Sequence, residues 1–324
     1  MREQEAGGVR LTIAIPTYRR PEAVGRALAG ALEQAEAQVE LRADGVREAE
    51  VLVIDNDPEA SGRDVVEQAA RGAGRARVCY VVEPSPGVTA VRNRALDETG
   101  GSDLLIFIDD DEEPEPGWLA ALVGLWRETG CQAAAGPVIP VYEREPDVWV
   151  RAGEFFVRRS WPTGTVRPVA ASNCLLLDLG FVRRAGLRFD EAFGATGGED
   201  TLFTRRLVAA GGVIRWCAEA RVRDHVPASR LDHAWILRRQ RSHAATAVRV
   251  DLALAGPGVQ AGIRLRAAAG GAARIAVGAA REAVGALTGS AAHRAKGARL
   301  VARGRGMLAA SGGRGVHEEY GRSP

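Results

Sequence analysis

The chain has almost no lysine: Lys296 stands alone among 43 basic residues, and arginine supplies the rest. In a chain with 39 glycines and abundant alanine, that bias reads as GC-rich coding rather than as selection at a site. No window of about 18 apolar residues is free of charge, so no transmembrane helix is expected. The opening residues, MREQEAGGVR, contain no apolar stretch, so no secretory signal is expected. The four cysteines, Cys79, Cys131, Cys174 and Cys217, form no CxxC pair and no zinc-type cluster. A disulfide scaffold is thereby excluded, and free thiols buried in a protein of the reducing cytoplasm are expected. A Walker A loop and a GxSxG elbow are both missing. GAGRAR at 72–77 lacks the third glycine and follows a helical stretch, so it is no dinucleotide fingerprint. There is no repeat of fixed period.

What is present is ordinary for a soluble globular chain: 46% hydrophobic and 26% charged residues over 324 positions. At roughly 150 residues per domain this is two units, or one large α/β domain with an extension. Short apolar runs at 11–15, 50–54, 77–82 and 103–108 alternate with helical patterns starting at Pro21, near residue 64 and near Val88. Such alternation predicts a mostly parallel sheet covered on both faces. Ligands of such sheets bind beyond the carboxyl ends of the strands. Three polar groups sit there: Pro16-Thr17-Tyr18, Asp55-Asn56-Asp57 and Asp109-Asp110-Asp111. Far apart in sequence, they should converge in space. Residues 131–190 are less regular and read as an antiparallel or loop-rich substrate half.

Three adjacent carboxylates repel one another unless a cation is near, and oxygen ligands suit Mg²⁺ or Mn²⁺. The ordinary alternative is a solvated acidic turn. Gly197-Gly198-Glu199-Asp200 opens a helix. Its carboxylates either cap that helix or, held ionised by the helix end, serve as a base. His225, after Asp224, is either structural or a metal ligand from a loop folding over the acidic cluster. Arg92, in the helix after Gly87, could meet a phosphate or the aspartates.

In order and spacing, six stretches over about residues 10–245 resemble the family 2 glycosyltransferases: IAIPTYRRPEAVGRAL (13–28), VLVIDND (51–57), GVTAVRNRALDETG (87–100), LLIFIDDDEEPEPGWL (104–119), FDEAFGATGGEDTLFTRRL (189–207) and RVRDHVP (221–227). The details look most similar to succinoglycan-type exopolysaccharide glucosyltransferases. The resemblance implies a GT-A fold, Rossmann-like with a mostly parallel sheet between helices, over residues 1–245. Its nucleotide half would be about 10–115 and its acceptor half about 116–245, with a helical extension at 246–324. It implies that Pro16, Thr17 and Tyr18 line the nucleotide pocket and that Asp55 and Asn56 contact the base or ribose. Arg92, Asp109 and Asp110 would lie against the nucleotide-sugar. Asp109 and Asp111 would form the DxD motif around Mn²⁺ or Mg²⁺, with Asp111 a direct ligand and His225 a further contact. Asp200 would be the general base, with Glu199 beside it, in an inverting transfer from a nucleotide-sugar donor, a UDP-sugar, to a glycan or lipid-linked acceptor. Two departures stand out. Asn56 replaces the family's frequent second Asp, and the QxxRW of processive synthases is missing, Gln240-Arg241-Ser242-His243 ending in His. A single-addition enzyme is therefore expected.

Residues 252–324 hold ten Arg, one Lys and three acids, a net of +8; the whole chain carries +2, so residues 1–251 carry −6. Val277, Ala280, Val284, Leu287 and Ala291 form a helical stripe flanked by Arg274 and Arg281, weakened by its glycines. The expectation is a cytoplasmic protein whose tail meets the anionic inner face of the cell membrane. Nucleic acid is the poorer partner, because Tyr320 is the tail's one aromatic residue. Two other readings compete with the transferase: a nucleotidyltransferase acting on sugar phosphates, and a non-catalytic nucleotide-sugar-binding protein at the membrane.

Overall fold

The computed structural model of the chain describes residues 8–313. The polar start of the chain (1–7) and residues 314–324, Tyr320 among them, lie outside that span. The first half is a run of strand–helix units: β1 (Val9–Thr17), α1 (Pro21–Leu41), β2 (Val46–Asp55), α2 (Arg63–Gly72), β3 (Arg77–Val82), α3 (Val88–Glu98) and β4 (Leu104–Ile108). The strands are apolar on both faces because each face meets a helix layer. Ile13, Val51 and Ile106 enter one core with Val24, Leu28 and Ala31 of α1. Ala14, Leu52 and Leu105 enter the other with Val91 and Ala95 of α3. Pro21 at the first helical position opens α1, and Arg42 in the left-handed conformation (φ 46°) closes it.

The second half adds β5 (Glu112–Pro114), α4 (Trp118–Thr129), β6 (Ala133–Ala135), β7 (Val138–Tyr142), α5 (Val148–Gly153), β8 (Val166–Arg167), β9 (Cys174–Asp178), α6 (Leu179–Arg184), α7 (Glu199–Ala209), β10 (Ile214–Trp216) and β11 (Val222–Val226). The main sheet has eight strands in the order β3-β2-β1-β4-β9-β6-β10-β8. β9 runs antiparallel to β4 and β6, and β8 antiparallel to β10; the other pairings are parallel. A second sheet, β5-β11-β7, stands beside the mouth of the first. The irregular stretch at 131–190 therefore supplies strands to both sheets. Cys131, Cys174 and Cys217 are buried free thiols, while Cys79 is half-buried.

Three helices complete the chain: α8 (His233–Leu254), α9 (Pro257–Thr288) and α10 (Ala291–Ser311). The boundary expected at 245/246 falls inside the unbroken α8. α10 returns along α9 and packs on α8 and α5, so the extension is part of the body. Glycine makes that packing possible. A Cβ on Gly278 would lie 2.8 Å from the Gly297 carbonyl oxygen, and one on Gly304 2.6 Å from that of Gly271. Expected to weaken the stripe, the glycines instead form the contact face. Val277 and Leu287 point the other way, 59% and 88% exposed, and Ala291 already belongs to α10.

Candidate active site

A cleft of about 590 Å³ opens where β1, β2 and β4 end. Pro16, Thr17, Tyr18, Asn56, Arg92 and Asp109-Asp110-Asp111 all line it. The parallel register explains the convergence: Thr17 is paired with Asp55, so neighbouring strands run out at one level. Gly87 takes φ 108° to turn the chain into α3, and a Cβ there would come within 3.1 Å of the Gly194 carbonyl oxygen.

The Thr17 hydroxyl donates to Asp110 (2.8 Å), which also pairs with Arg20 at 3.0 Å. Arg20 reaches Asp111 at 3.4 Å, Arg230 meets Asp111 at 2.9 Å, and Arg158 holds Asp224 at 2.9 Å. A ribbon of alternating charge thus crosses the cleft floor. The Asn56 amide donates to the carbonyls of Glu83 and Ser85 and accepts from the Gly87 N–H, tying β2 to the loop before α3. Glu112 accepts from Asn173 (2.7 Å) and from the Asp109 N–H (3.2 Å).

Burial, reinforced by Asp111 and Asp110 and opposed by Arg92, pushes the Asp109 carboxyl up to about 6. Burial also raises Asp110, Asp224 and, well above the usual range, Glu112. Asp224 keeps one buried carboxylate oxygen, Oδ1, without a hydrogen bond. Among the described residues no three His, Cys, Asp or Glu side chains already converge as a metal cage. The donors are nonetheless all oxygen and crowded, which fits a hard divalent cation.

Three predicted residues are placed otherwise than expected. Asp55 is fully buried, and its carboxylate accepts from the Asp57 and Gly62 N–H groups and the Tyr80 hydroxyl; it braces the loop and does not line the cleft. β11 alternates, sending Asp224 and Val226 to the cleft and His225 to the other face, where Nε2 sits 3.1 Å from Glu113. Asp224, and not His225, therefore lines the cleft. Glu199 is buried in an ion pair with Arg92, which also faces Asp109 at 3.8 Å. This pair ties the first turn of α7 to the cleft. Asp200, next in that turn, is half-buried, accepts the Thr201 N–H and is not on the lining.

Sequence reasoning missed the opposite wall: Phe156 and Arg158 before β8, Arg230, and Trp235, Arg238 and Arg239 on α8. The run Arg238-Arg239 was a visible signal, but nothing local says which way a surface helix turns its arginines.

Strand ends carrying a nucleotide-sized cleft over an acidic cluster define a GT-A-like transferase. Residues 12–183 match the family described as Glycosyl transferase family 2. The succinoglycan biosynthesis protein ExoM of Rhizobium meliloti (strain 1021) is 34% identical over 238 residues, 72% of each chain. The chain belongs to glycosyl transferase family 2 and is a glycosyltransferase, which sets the nucleotidyltransferase reading aside. Its fold is similar to S. aureus TarS 1–349 in complex with UDP-GlcNAc (TM-score 0.53, 14% identity, 94% of this chain and 92% of that one). It is also similar to GalNAc-T7 with UDP, GalNAc and Mn²⁺ (TM-score 0.53, 14% identity, 75% of this chain), of which it spans 51%.

Proposed function

We propose that the protein moves a sugar from a UDP-sugar to a glycan or lipid-linked acceptor in extracellular or cell-surface polysaccharide synthesis, with inversion at the anomeric carbon. The convergence of Thr17, Asn56, Arg92 and Asp109-Asp110-Asp111 on one cleft carries this reading. The polysaccharide setting rests on the likeness to the succinoglycan protein, and the UDP donor on the UDP-bearing structures of similar fold.

Pro16, Thr17 and Tyr18 form the wall for the nucleotide, and Asn56 shapes its floor. Asp55 acts through the loop that it braces. Asp111 and Asp109, with Asp224, would hold Mn²⁺ or Mg²⁺, which when bound supplies positive charge against the leaving diphosphate. Asp200 takes the proton of the acceptor hydroxyl. That oxygen forms the new bond to the anomeric carbon, and the old carbon–oxygen bond leaves its electron pair on the diphosphate. Glu199 holds Arg92 at the cleft. The stripe of α9 and the positive extension dock the protein on an anionic inner membrane face. No helix among the described residues is long and apolar enough to cross a membrane.

Asp200→Asn tests the chemistry. It should lower turnover of a UDP-sugar by about 10²–10⁴ while UDP affinity is kept. Full turnover would overturn the base assignment.

A further inference from the structure

A single stripe of α8 touches two parts of the molecule. Trp235, Arg239 and Ser242 wall the cleft. Thr246 and Arg249 continue the same 4-3-4-3 spacing, so they lie on the same face of the helix. There they meet the turn at 192–198, which delivers Glu199 and Asp200 to the start of α7. The turn contains Gly197 and Gly198, at φ 74° and 92°, which carry no side chain to anchor it.

α8 supplies the anchors. The Arg249 guanidinium donates through Nη2 to the Ala192 carbonyl at 2.9 Å and through Nη1 to the Thr196 hydroxyl. It also lies over the Phe193 ring at 4.7 Å. The Thr246 hydroxyl donates to the Thr196 carbonyl at 3.4 Å. Its methyl fills the space beside Gly198, where a Cβ would come within 2.0 Å of it. Val250 completes a buried cluster with Phe193 and with Leu202 of α7, and Asp251 pairs with Arg205. Arg92 holds Glu199 from α3.

A planar guanidinium that spans two oxygens of one turn fixes both the place and the angle of the backbone it grips. A displacement of about 1 Å at a reacting group can cost about a hundredfold in rate, even when its cause is remote. The family match ends at residue 183, so it assigns neither this turn nor α8.

We infer that Arg249, with Thr246, is a positioning residue for the transfer: it clamps the 192–198 turn and so sets where Asp200 stands. The inference rests on the reading of Asp200 as the base.

UDP release from UDP-glucose by the full chain, with Mn²⁺ present and water as the acceptor, reads the effect. In that step the water oxygen bonds to the anomeric carbon and gives one proton to Asp200, while the bond to the diphosphate breaks with its electron pair on UDP. Arg249→Met should lower kcat by about tenfold to a hundredfold. KM for UDP-glucose and the affinity for UDP should stay within about twofold. Arg249→Lys should recover part of the loss. In an Asp200→Asn background, Arg249→Met should cost less than about twofold more, because the group it positions is gone. Losses that multiply, or a raised KM with kcat kept, would overturn the clamp. Full turnover in Asp200→Asn would contradict the base reading instead. Deuterium exchange supplies a readout independent of donor and acceptor. Arg249→Met should speed exchange several-fold over 193–200 and leave β1 to β4 unchanged. Equal exchange in the wild-type chain and the variant would overturn the clamp. A wild-type chain that releases no UDP contradicts the donor reading, and exchange then decides the clamp alone.

Discussion

Arg92 joins parts of the chain that are more than a hundred positions apart. Its side chain and that of Glu199 are 7% and 3% exposed, and Asp109 stands on its other side. Removing one partner of a buried pair leaves an uncompensated charge and costs about 3–5 kcal/mol. Because Asp109 still faces Arg92, Glu199→Gln should fall at the low end, about 3 kcal/mol, in urea unfolding. A loss below about 0.5 kcal/mol would mean that the pair is no tie between α7 and the cleft. Thr17, Asn56 and the three aspartates were legible because each ends an apolar run, and strand ends share a level. His225 stays open in sequence between a structural role and a metal contact because 222–226 does not stand out as a strand; the alternation Val222, Asp224, Val226 carries the phase that turns Asp224 to the cleft. Asp55 was misplaced for another reason: a carboxylate bound to backbone N–H groups looks, in sequence, like one waiting for a ligand.

At the scale of elements, the strand–helix alternation up to residue 108 was readable because parallel strands are continuous apolar runs. The β5-β11-β7 sheet was not. β5 is Glu112-Glu113-Pro114, and its place depends on a buried Glu112 held by Asn173 from elsewhere in the chain. The α9–α10 hairpin is built on its glycines. Helix glycines ordinarily cost about 0.5–1 kcal/mol against alanine, so replacing them should stabilise. Here the neighbouring backbone occupies the space. Gly278→Leu should destabilise by about 1–3 kcal/mol, whereas Ala276→Leu, on the exposed face, should change stability by less than about 0.5 kcal/mol. Paired thermal melts measure both, and equal effects would contradict the glycine contact face.

For the whole molecule, charge is segregated: −6 over residues 1–251 and +8 beyond. α10 presses on α8, and α8 walls the cleft, so the basic extension and the reaction site share one structure. The exposed stripe on α9 should carry the chain to anionic vesicles. Leu287→Asp together with Val284→Asp should reduce co-sedimentation with phosphatidylglycerol vesicles several-fold, at about 1 kcal/mol or more for each lost apolar contact. Undiminished co-sedimentation would place the membrane contact elsewhere.

The strand-end cleft is proposed as a metal-assisted nucleotide-sugar site. A thermal-shift panel of UDP, GDP, CDP and dTDP, each with and without Mn²⁺, tests it most directly, since a ligand of the folded state raises the melting temperature. The predicted result is a rise with UDP that depends on Mn²⁺ and disappears in Asp111→Asn. No rise with any nucleotide, or a rise indifferent to both metal and Asp111, would contradict it.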